Sequence, residues 1–213
     1  MNNPISRQAL RRMPGYVLAL EEMRGEGVEY VSAPVLAKKF GLNEEQVRKD
    51  LSSVSSVRGK PRAGFPVAAL LKDMREFLGY DNVDDAVLVG AGSLGHALLN
   101  YQGFDGYGVR IIAAFDIRAM GEVGGKSVLP MEKLGNVCRR LGVKIGILTV
   151  PAQAAQAAAD QLVEAGILAI WNFAPVVLRV PEHILVQNEN MANSLVVLSM
   201  HLREQLKREE ARR

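Results

Sequence analysis

Three glycines and an aspartate are the residues here whose types and spacing could do chemistry. Ala86-Val87-Leu88-Val89 is an apolar run, Gly90-Ala91-Gly92-Ser93-Leu94-Gly95 is a Gly-x-Gly-x-x-Gly series, and His96-Ala97-Leu98-Leu99 continues it at helical spacing. That order reads as a buried parallel strand, a tight turn and the start of a helix. Gly90 would permit the turn, Gly92 would let backbone approach a pyrophosphate, and Gly95 would let helix and strand pack closely. The helix start, with Ala91, Ser93 and Leu94, offers unpaired N–H groups and a partial positive charge to phosphates. A second apolar run, Val109 to Phe115, ends at Asp116, 21 residues after Gly95. A carboxylate there can accept hydrogen bonds from both hydroxyls of an adenine ribose. The competing reading is that the glycines serve only helix–sheet packing.

Acid–base chemistry is harder to find. The three histidines are His96, His183 and His201. No Tyr-x-x-x-Lys occurs, and no Lys or His stands with a carboxylate placed to orient it. The pattern favours sensing a nucleotide over reacting it, with an NAD(P)-dependent oxidoreductase as the alternative. The single cysteine, Cys138, excludes an internal disulfide framework and a cysteine-based zinc site, and it fits a reducing cytoplasm. No N-terminal apolar region suggests a secretion signal, and no apolar run approaches the ~20 residues that span a bilayer.

The elements around the glycine turn alternate. Beyond Asp116 the chain turns through Gly121, Gly124 and Gly125, and Pro130 is expected to open a helix with Leu134, Val137 and Leu141. Lys144 to Val150 reads as a strand ended by Pro151, Ala152 to Ala165 as an alanine-rich helix, and Ile167–Trp171 and Ile184–Gln187 as strands. Such alternation means a Rossmann-like, doubly wound parallel sheet of the α/β class. Ligands in such sheets lie beyond the carboxyl ends of the strands, which here carry the glycine turn, Asp116, Val150-Pro151 and Asn172-Phe173-Ala174. Asn190 to Arg213 reads as one long helix. Its Met191, Leu195, Leu198 and Leu202 form a narrow seam suited to a helix of a second subunit or to its own domain.

Residues 1–80 have a different character. They carry 13 Lys/Arg against 9 Asp/Glu, net +4, whereas residues 81–213 carry 13 against 14, net −1. The asymmetry suggests a polyanion-binding module joined to a near-neutral one, or simply a solvated basic surface. Ile5 to Arg12 reads as a short basic helix, with Pro14 opening the next. Ser32 precedes Ala33-Pro34 as an N-cap, and Val35, Leu36 and Phe40 supply the apolar face of a helix ending at Gly41. Asn43 caps a third helix, with Gln46 completing an approximate capping box and Val47, Leu51 and Val54 facing inward. The pair has helix-turn-helix proportions, with Arg48 and Lys49 on the outer face of the second helix. Val57 to Phe65, with Arg58, Lys60 and Arg62 among glycines and Pro61, has the composition of a hairpin wing reaching phosphates or the minor groove. Val67 to Leu78 follows as an amphipathic helix with Leu70, Leu71, Met74, Phe77 and Leu78 apolar, and Gly79 to Asp84 as the linker. The expected domains are 1–80 (winged helix), 81–189 (dinucleotide-binding) and 190–213 (dimerisation helix).

The motifs Gln46-Val47-Arg48-Lys49-Asp50-Leu51, Gly90-Ala91-Gly92-Ser93-Leu94-Gly95, Asn100-Tyr101-Gln102-Gly103-Phe104, Ala114-Phe115-Asp116 and Asn172-Phe173-Ala174-Pro175-Val176 together resemble the Rex family of redox-sensing transcriptional repressors. The resemblance spans nearly the whole chain. It implies a homodimer that binds a palindromic double-stranded operator, senses the NADH/NAD⁺ ratio, exchanges its C-terminal helices and leaves DNA when NADH binds. It implies Arg48, Lys49, Ser52, Arg58, Lys60 and Arg62 as DNA contacts, and Tyr101 near the nicotinamide, where a core or interface tyrosine is the other reading. The chain departs from the family in Ser53-Val54-Ser55-Ser56, where an aromatic-glycine segment is usual, and in Pro61 of the wing. Arg118 follows the ribose acid, where it could accommodate a 2′-phosphate. Leu18 and Asn190 stand where the family pairs an arginine and an aspartate with the tyrosine. A nucleotide- or CoA-binding regulator with altered DNA recognition remains a further alternative.

Overall fold

In a computed structural model the described residues are 5–118 and 121–210. Ala119, in the segment after Asp116, and residues 211–213 of the expected last helix lie outside them. The chain divides into two compact units, Met1–Asn82 and Val83–Arg213.

In the first unit, α1 runs unbroken over Arg7–Gly25, with Ser6 capping it by accepting from the Ala9 N–H and with Pro14 inside it. The expected break at Pro14 does not occur. An internal proline costs a helix about 3 kcal/mol, but Met13, Tyr16, Val17 and Leu20 are all buried on one face, each contributing about 1.5–3 kcal/mol. Burial wins. Arg12 and Tyr16, one turn apart and straddling Pro14, also end on the same carboxylate. Asp50 accepts from Arg12 Nε at 2.8 Å and Nη2 at 3.0 Å, and from the Tyr16 hydroxyl at 3.0 Å.

Strand β1 (Tyr30–Val31) leads into α2 (Ala33–Phe40), and Gly41 in the left-handed region turns the chain toward α3 (Glu44–Val54). The Asn43 side chain accepts from Glu45 N and Gln46 N. Gln46 turns its amide toward the Arg12 guanidinium instead of closing a capping box. Leu36, Ala33 and Ala37 form the buried face of α2. Val35, expected inside, is half exposed, and Phe40 meets the edge of Tyr16 at 5.4 Å. Residues 36 and 40 lie one turn apart on one face, whereas 35 is rotated by about 100° from 36 and leaves it. Val47 and Leu51 of α3 are buried as expected. Of the unusual serines, Ser53 donates within α3 to the Asp50 carbonyl at 2.6 Å, and Ser56, just past the helix end, donates through N and Oγ to Asp73. Lys60 and Gly64 exchange both backbone bonds to make a minimal hairpin, after which β2 (Phe65–Pro66) pairs antiparallel with β1. Helix α4 (Val67–Leu78) buries Leu70, Leu71 and Met74, while Phe77 is exposed at its end.

The second unit contains β3 (Asp84–Val89), α5 (Ser93–Asn100), β4 (Val109–Asp116), β5 (Gly121–Val123), β6 (Lys126–Pro130), α6 (Leu134–Leu141), β7 (Ile145–Leu148), α7 (Ala152–Glu164), β8 (Ala169–Asn172), β9 (Leu185–Asn188) and α8 (Met191–Glu210). The sheet order is β5-β6-β4-β3-β7-β8-β9, parallel except for edge strand β5. The β5–β6 hairpin was not expected. Its strands are short and glycine-bounded at a sheet edge, so neither burial nor length marks them. Pro130 ends β6, in register with Asp116, and as expected also opens the helical stretch, capping a 3-10 turn (Met131–Lys133) that runs straight into α6. Leu141 is exposed, and Cys138 takes the buried position on α6, where burial pushes its thiol pKa up. Helix α5 packs on one face with Leu99, Ile111 and Val128. On the other, α6 and α7 pack with Leu134, Ala155, Ala159 and Leu162.

Helix α8 keeps its apolar residues outside. Leu195 is 68% exposed and Leu198 63%, as are most of their neighbours on the helix. No helix among the described residues is long and apolar enough to cross a membrane.

Burial, reinforced by donation to Asp50, pushes the Tyr16 pKa up to about 12. The folded state therefore holds this proton more tightly than the unfolded chain. The stability it lends is complete below pH about 10 and is lost as pH rises toward 12. A tyrosinate absorbance titration should show a late-ionising component, and Tyr16→Phe should reduce it.

Candidate functional site

The sheet order reverses beside β3, whose neighbours are β4 and β7. A crevice at such a switch point receives ligands because the two following connections leave on opposite faces. Here it is a cleft of about 550 Å³, lined by Gly90, Gly92 and Ser93 of the turn, Phe115 to Ile117, Met131, Thr149 to Pro151, and Ala154, Ala157, Ala158 and Gln161 of α7.

Backbone builds this cleft. Gly90 has φ +103°, and a Cβ there would lie 2.8 Å from Val150 Cγ1 and 2.9 Å from the Thr149 carbonyl carbon. A Cβ on Gly95 would lie 2.1 Å from the Gly90 oxygen, so the helix sits directly on the turn. Gly92 meets nothing within 4 Å. Gly90 thus makes the turn and Gly95 the close packing, while Gly92 faces open space. Asp116 accepts from Ala91 N at 2.7 Å and from Arg118 N at 2.9 Å, which turns its carboxylate toward the glycine turn. Among the described residues lining the cleft, Asp116 is the one ionisable side chain.

The other expected cofactor residues sit differently. Ala91, Leu94 and Gly95 shape the turn and the first turn of α5 from behind. Arg118 is exposed beyond the rim. Asn172 is fully buried, and its amide is engaged within the chain: it donates to Val176 O and Asn188 Oδ1 and accepts from Ala174 N. It holds the Phe173-Ala174 loop in shape rather than presenting a free group. Tyr101 and Phe173 belong to a separate row of rings, with Tyr101 4.9 Å from Phe104, Phe104 5.8 Å from Trp171, and Trp171 4.5 Å from Phe173. Trp171 Nε1 donates to Glu189 at 3.1 Å. Sequence reading missed Thr149, Ile117, Met131 and the α7 wall. The spacing of Ala154, Ala157, Ala158 and Gln161 was a signal, since it is one helical face, three alanines followed by a glutamine.

In the first unit, Arg48 and Ser52 share one flank of α3 and line a groove with Gly59, Lys60, Pro61 and Arg62 of the wing and with Ser32 to Pro34. Lys49 lies on the other flank and pairs with Glu45 at 3.1 Å. All three α3 side chains are exposed, as are Arg58 and Arg62. Lys60 donates to the Tyr30 hydroxyl at 2.7 Å and lies over its ring, and that bond raises its pKa. Arg62, at the wing tip, takes φ +66°.

A small helix-turn-helix unit with a basic wing, joined to a dinucleotide-type sheet with an open glycine turn, defines a ligand-responsive DNA-binding regulator as the class. Residues 4–52 match the family model described as "Putative DNA-binding protein N-terminus", and residues 81–176 match that described as "CoA binding domain". The chain is 39% identical over 195 residues to a redox-sensing transcriptional repressor Rex of Treponema denticola, covering 90% of this chain and 92% of the relative. It is 37% identical to that of Bacteroides fragilis, covering 93% and 94%. The solved structures of RSP, a Rex-family repressor, with NAD⁺ and operator DNA and with NADH both superpose at TM-score 0.87 and 33% identity. They cover 99% of this chain and 98% of RSP in the first case, and 98% and 99% in the second. The chain belongs to the Rex family of redox-sensing transcriptional repressors.

Gly95→Ala should destabilise the sheet unit by about 1–3 kcal/mol through overpacking against the Gly90 carbonyl. Gly92→Ala should cost about 1 kcal/mol or less, the difference between glycine and alanine at a helix N-cap. Denaturant unfolding followed by Trp171, the single tryptophan, separates the two.

Proposed function

We propose that this chain is a redox-sensing transcriptional repressor that binds operator DNA through its first unit and NAD(H) through its second. One observation carries the reading: a basic groove between helix and wing and a backbone-built dinucleotide cleft occur in one chain, and among the described residues the cleft holds binding groups without an acid–base pair. That supports sensing rather than turnover. RSP, which is similar over nearly its full length, has been solved with each of these ligands.

In the cleft, the N–H groups of Gly92, Ser93 and Leu94 meet the pyrophosphate, with the α5 dipole behind them. Asp116 binds the adenine ribose and repels a 2′-phosphate, favouring NAD(H) over NADP(H). Arg118 stands just outside. Val150 and Pro151 border the cleft, and Tyr101, Phe173 and Ala174 form the nicotinamide end. The exposed apolar residues of α8 suit a partner helix, so the functional species is a homodimer built through residues 190–213, acting in the cytoplasm. Residues 1–80 and 81–189 divide DNA and cofactor binding between them. The Asn190 side chain accepts from Ala192 N at 3.1 Å and caps α8, and Leu18 carries no charge. The redox signal therefore travels without the arginine–aspartate pair.

On DNA, Arg48 and Ser52 face the bases beside the wing, with Lys49 on the far flank and Arg58, Lys60 and Arg62 on phosphates. Arg48→Ala should cost about 1–3 kcal/mol, mainly on the preferred palindrome. Arg62→Ala should weaken binding on every sequence and flatten the salt dependence by about one unit. Fluorescence anisotropy across a salt series measures both. Unchanged operator affinity in Arg48→Ala would show that α3 is not the reading helix.

A further inference from the structure

The peptide that joins Gly90 to Ala91 is gripped from both sides. Its N–H donates to Asp116 Oδ2 at 2.7 Å, and its carbonyl accepts from the Thr149 hydroxyl at 2.6 Å. A trans peptide points these two groups in opposite directions, so partners on both sides fix the plane against rotation, and either one alone would not. Three further contacts make the grip close. Thr149 N donates to Val89 O at 2.9 Å, which brings the end of β7 alongside the end of β3. The same hydroxyl lies 3.1 Å from Val89 O. Gly95 fills the remaining side of the Gly90 carbonyl, where a Cβ would lie 2.1 Å away.

We infer that Thr149 is a positioning residue of the dinucleotide site, its hydroxyl setting the plane of the Gly90–Ala91 peptide. Two consequences follow from that plane. It presents the Ala91 N–H that holds one oxygen of Asp116, leaving the carboxylate aimed at the ribose. It also sets the path of Gly92 and Ser93, whose N–H groups meet the pyrophosphate. The residue that follows β7 thereby fixes a peptide of the turn between β3 and α5. The inference rests on the reading of the cleft as the NAD(H) site. It concerns the half of the ligand shared by NADH and NAD⁺.

The test compares Thr149→Val, which keeps shape and loses the hydroxyl, with Thr149→Ser, which keeps the hydroxyl. Each is titrated with NADH and, separately, with ADP-ribose, which lacks the nicotinamide. The valine variant should bind both probes about tenfold more weakly, the effect of one lost hydrogen bond. The serine variant should stay within about threefold of the unaltered protein. In ¹⁵N spectra the Ala91 amide should shift and lose exchange protection in the valine variant and keep both in the serine variant. A structural role alone would lower melting temperature without moving affinity or this resonance. Valine binding both probes like the unaltered protein overturns the inference, and so does serine failing as badly as valine. Loss of NADH affinity with ADP-ribose affinity intact would place the effect at the nicotinamide and also overturn it. If the valine variant does not fold, Thr149→Ala carries the same comparison. Failure of the unaltered protein to bind NADH at all would instead count against the cofactor reading.

Discussion

The contact of α5 backbone with the Gly90 carbonyl is the constraint on which the sheet unit depends. With no side chain at Gly95 the helix starts directly over the end of β3, and its free N–H groups open into the switch-point crevice instead of against protein. Gly90 N donates to Phe115 O at 2.8 Å, which carries β4 to the same level and delivers Asp116 to the turn. Thr149 reaches that level from the other side. The site is therefore made largely of main-chain groups whose positions the fold dictates. Among the described residues, the cleft offers main-chain groups and one carboxylate.

The first unit solves a different problem, that of seating α3 firmly while leaving Arg48 exposed. Asp50 does this by bonding backward to α1. The Arg12 and Tyr16 side chains satisfy a nearly buried carboxylate that would otherwise be costly to fold, and Leu51 and Val47 complete the seat. With α3 anchored from behind, Arg48 and Ser52 are presented together beside the wing. Ser56, just beyond α3, extends the same anchoring to α4 through Asp73.

Most of the architecture was legible in the sequence because its signals are periodic or positional. The strand–turn–helix of residues 86–99, the N-cap at Asn43 and the strands at 145–148 and 169–172 all emerged within a few residues of their final bounds. What failed did so for identifiable reasons. Pro14 looked like a helix start because local propensity favours that position, and tertiary burial overrode it. The β5–β6 hairpin carries no periodic pattern. Asn172 was grouped with cofactor contacts because it stands at a strand end, whereas burial turned its amide to the loop. Thr149, between a strand and a proline, has a role that depends on long-range carbonyls and leaves no trace in spacing. Arg48 and Lys49 are adjacent in sequence, yet their roughly 100° separation around α3 puts them on different flanks.

NADH and NAD⁺ share adenine, riboses and pyrophosphate, so on the proposed reading the glycine turn and Asp116 would meet the same groups in both. Any difference must arise at the nicotinamide, and it shifts the protein between DNA-bound and released forms only if the two cofactors favour those forms unequally. The direct measurement is operator affinity of the full chain with saturating NADH and with saturating NAD⁺ at one salt concentration. The account expects NADH to weaken binding by about tenfold or more, a coupling of ~1.4 kcal/mol. Equal affinities would contradict it and leave a DNA-binding protein that holds a nucleotide without reading its redox state.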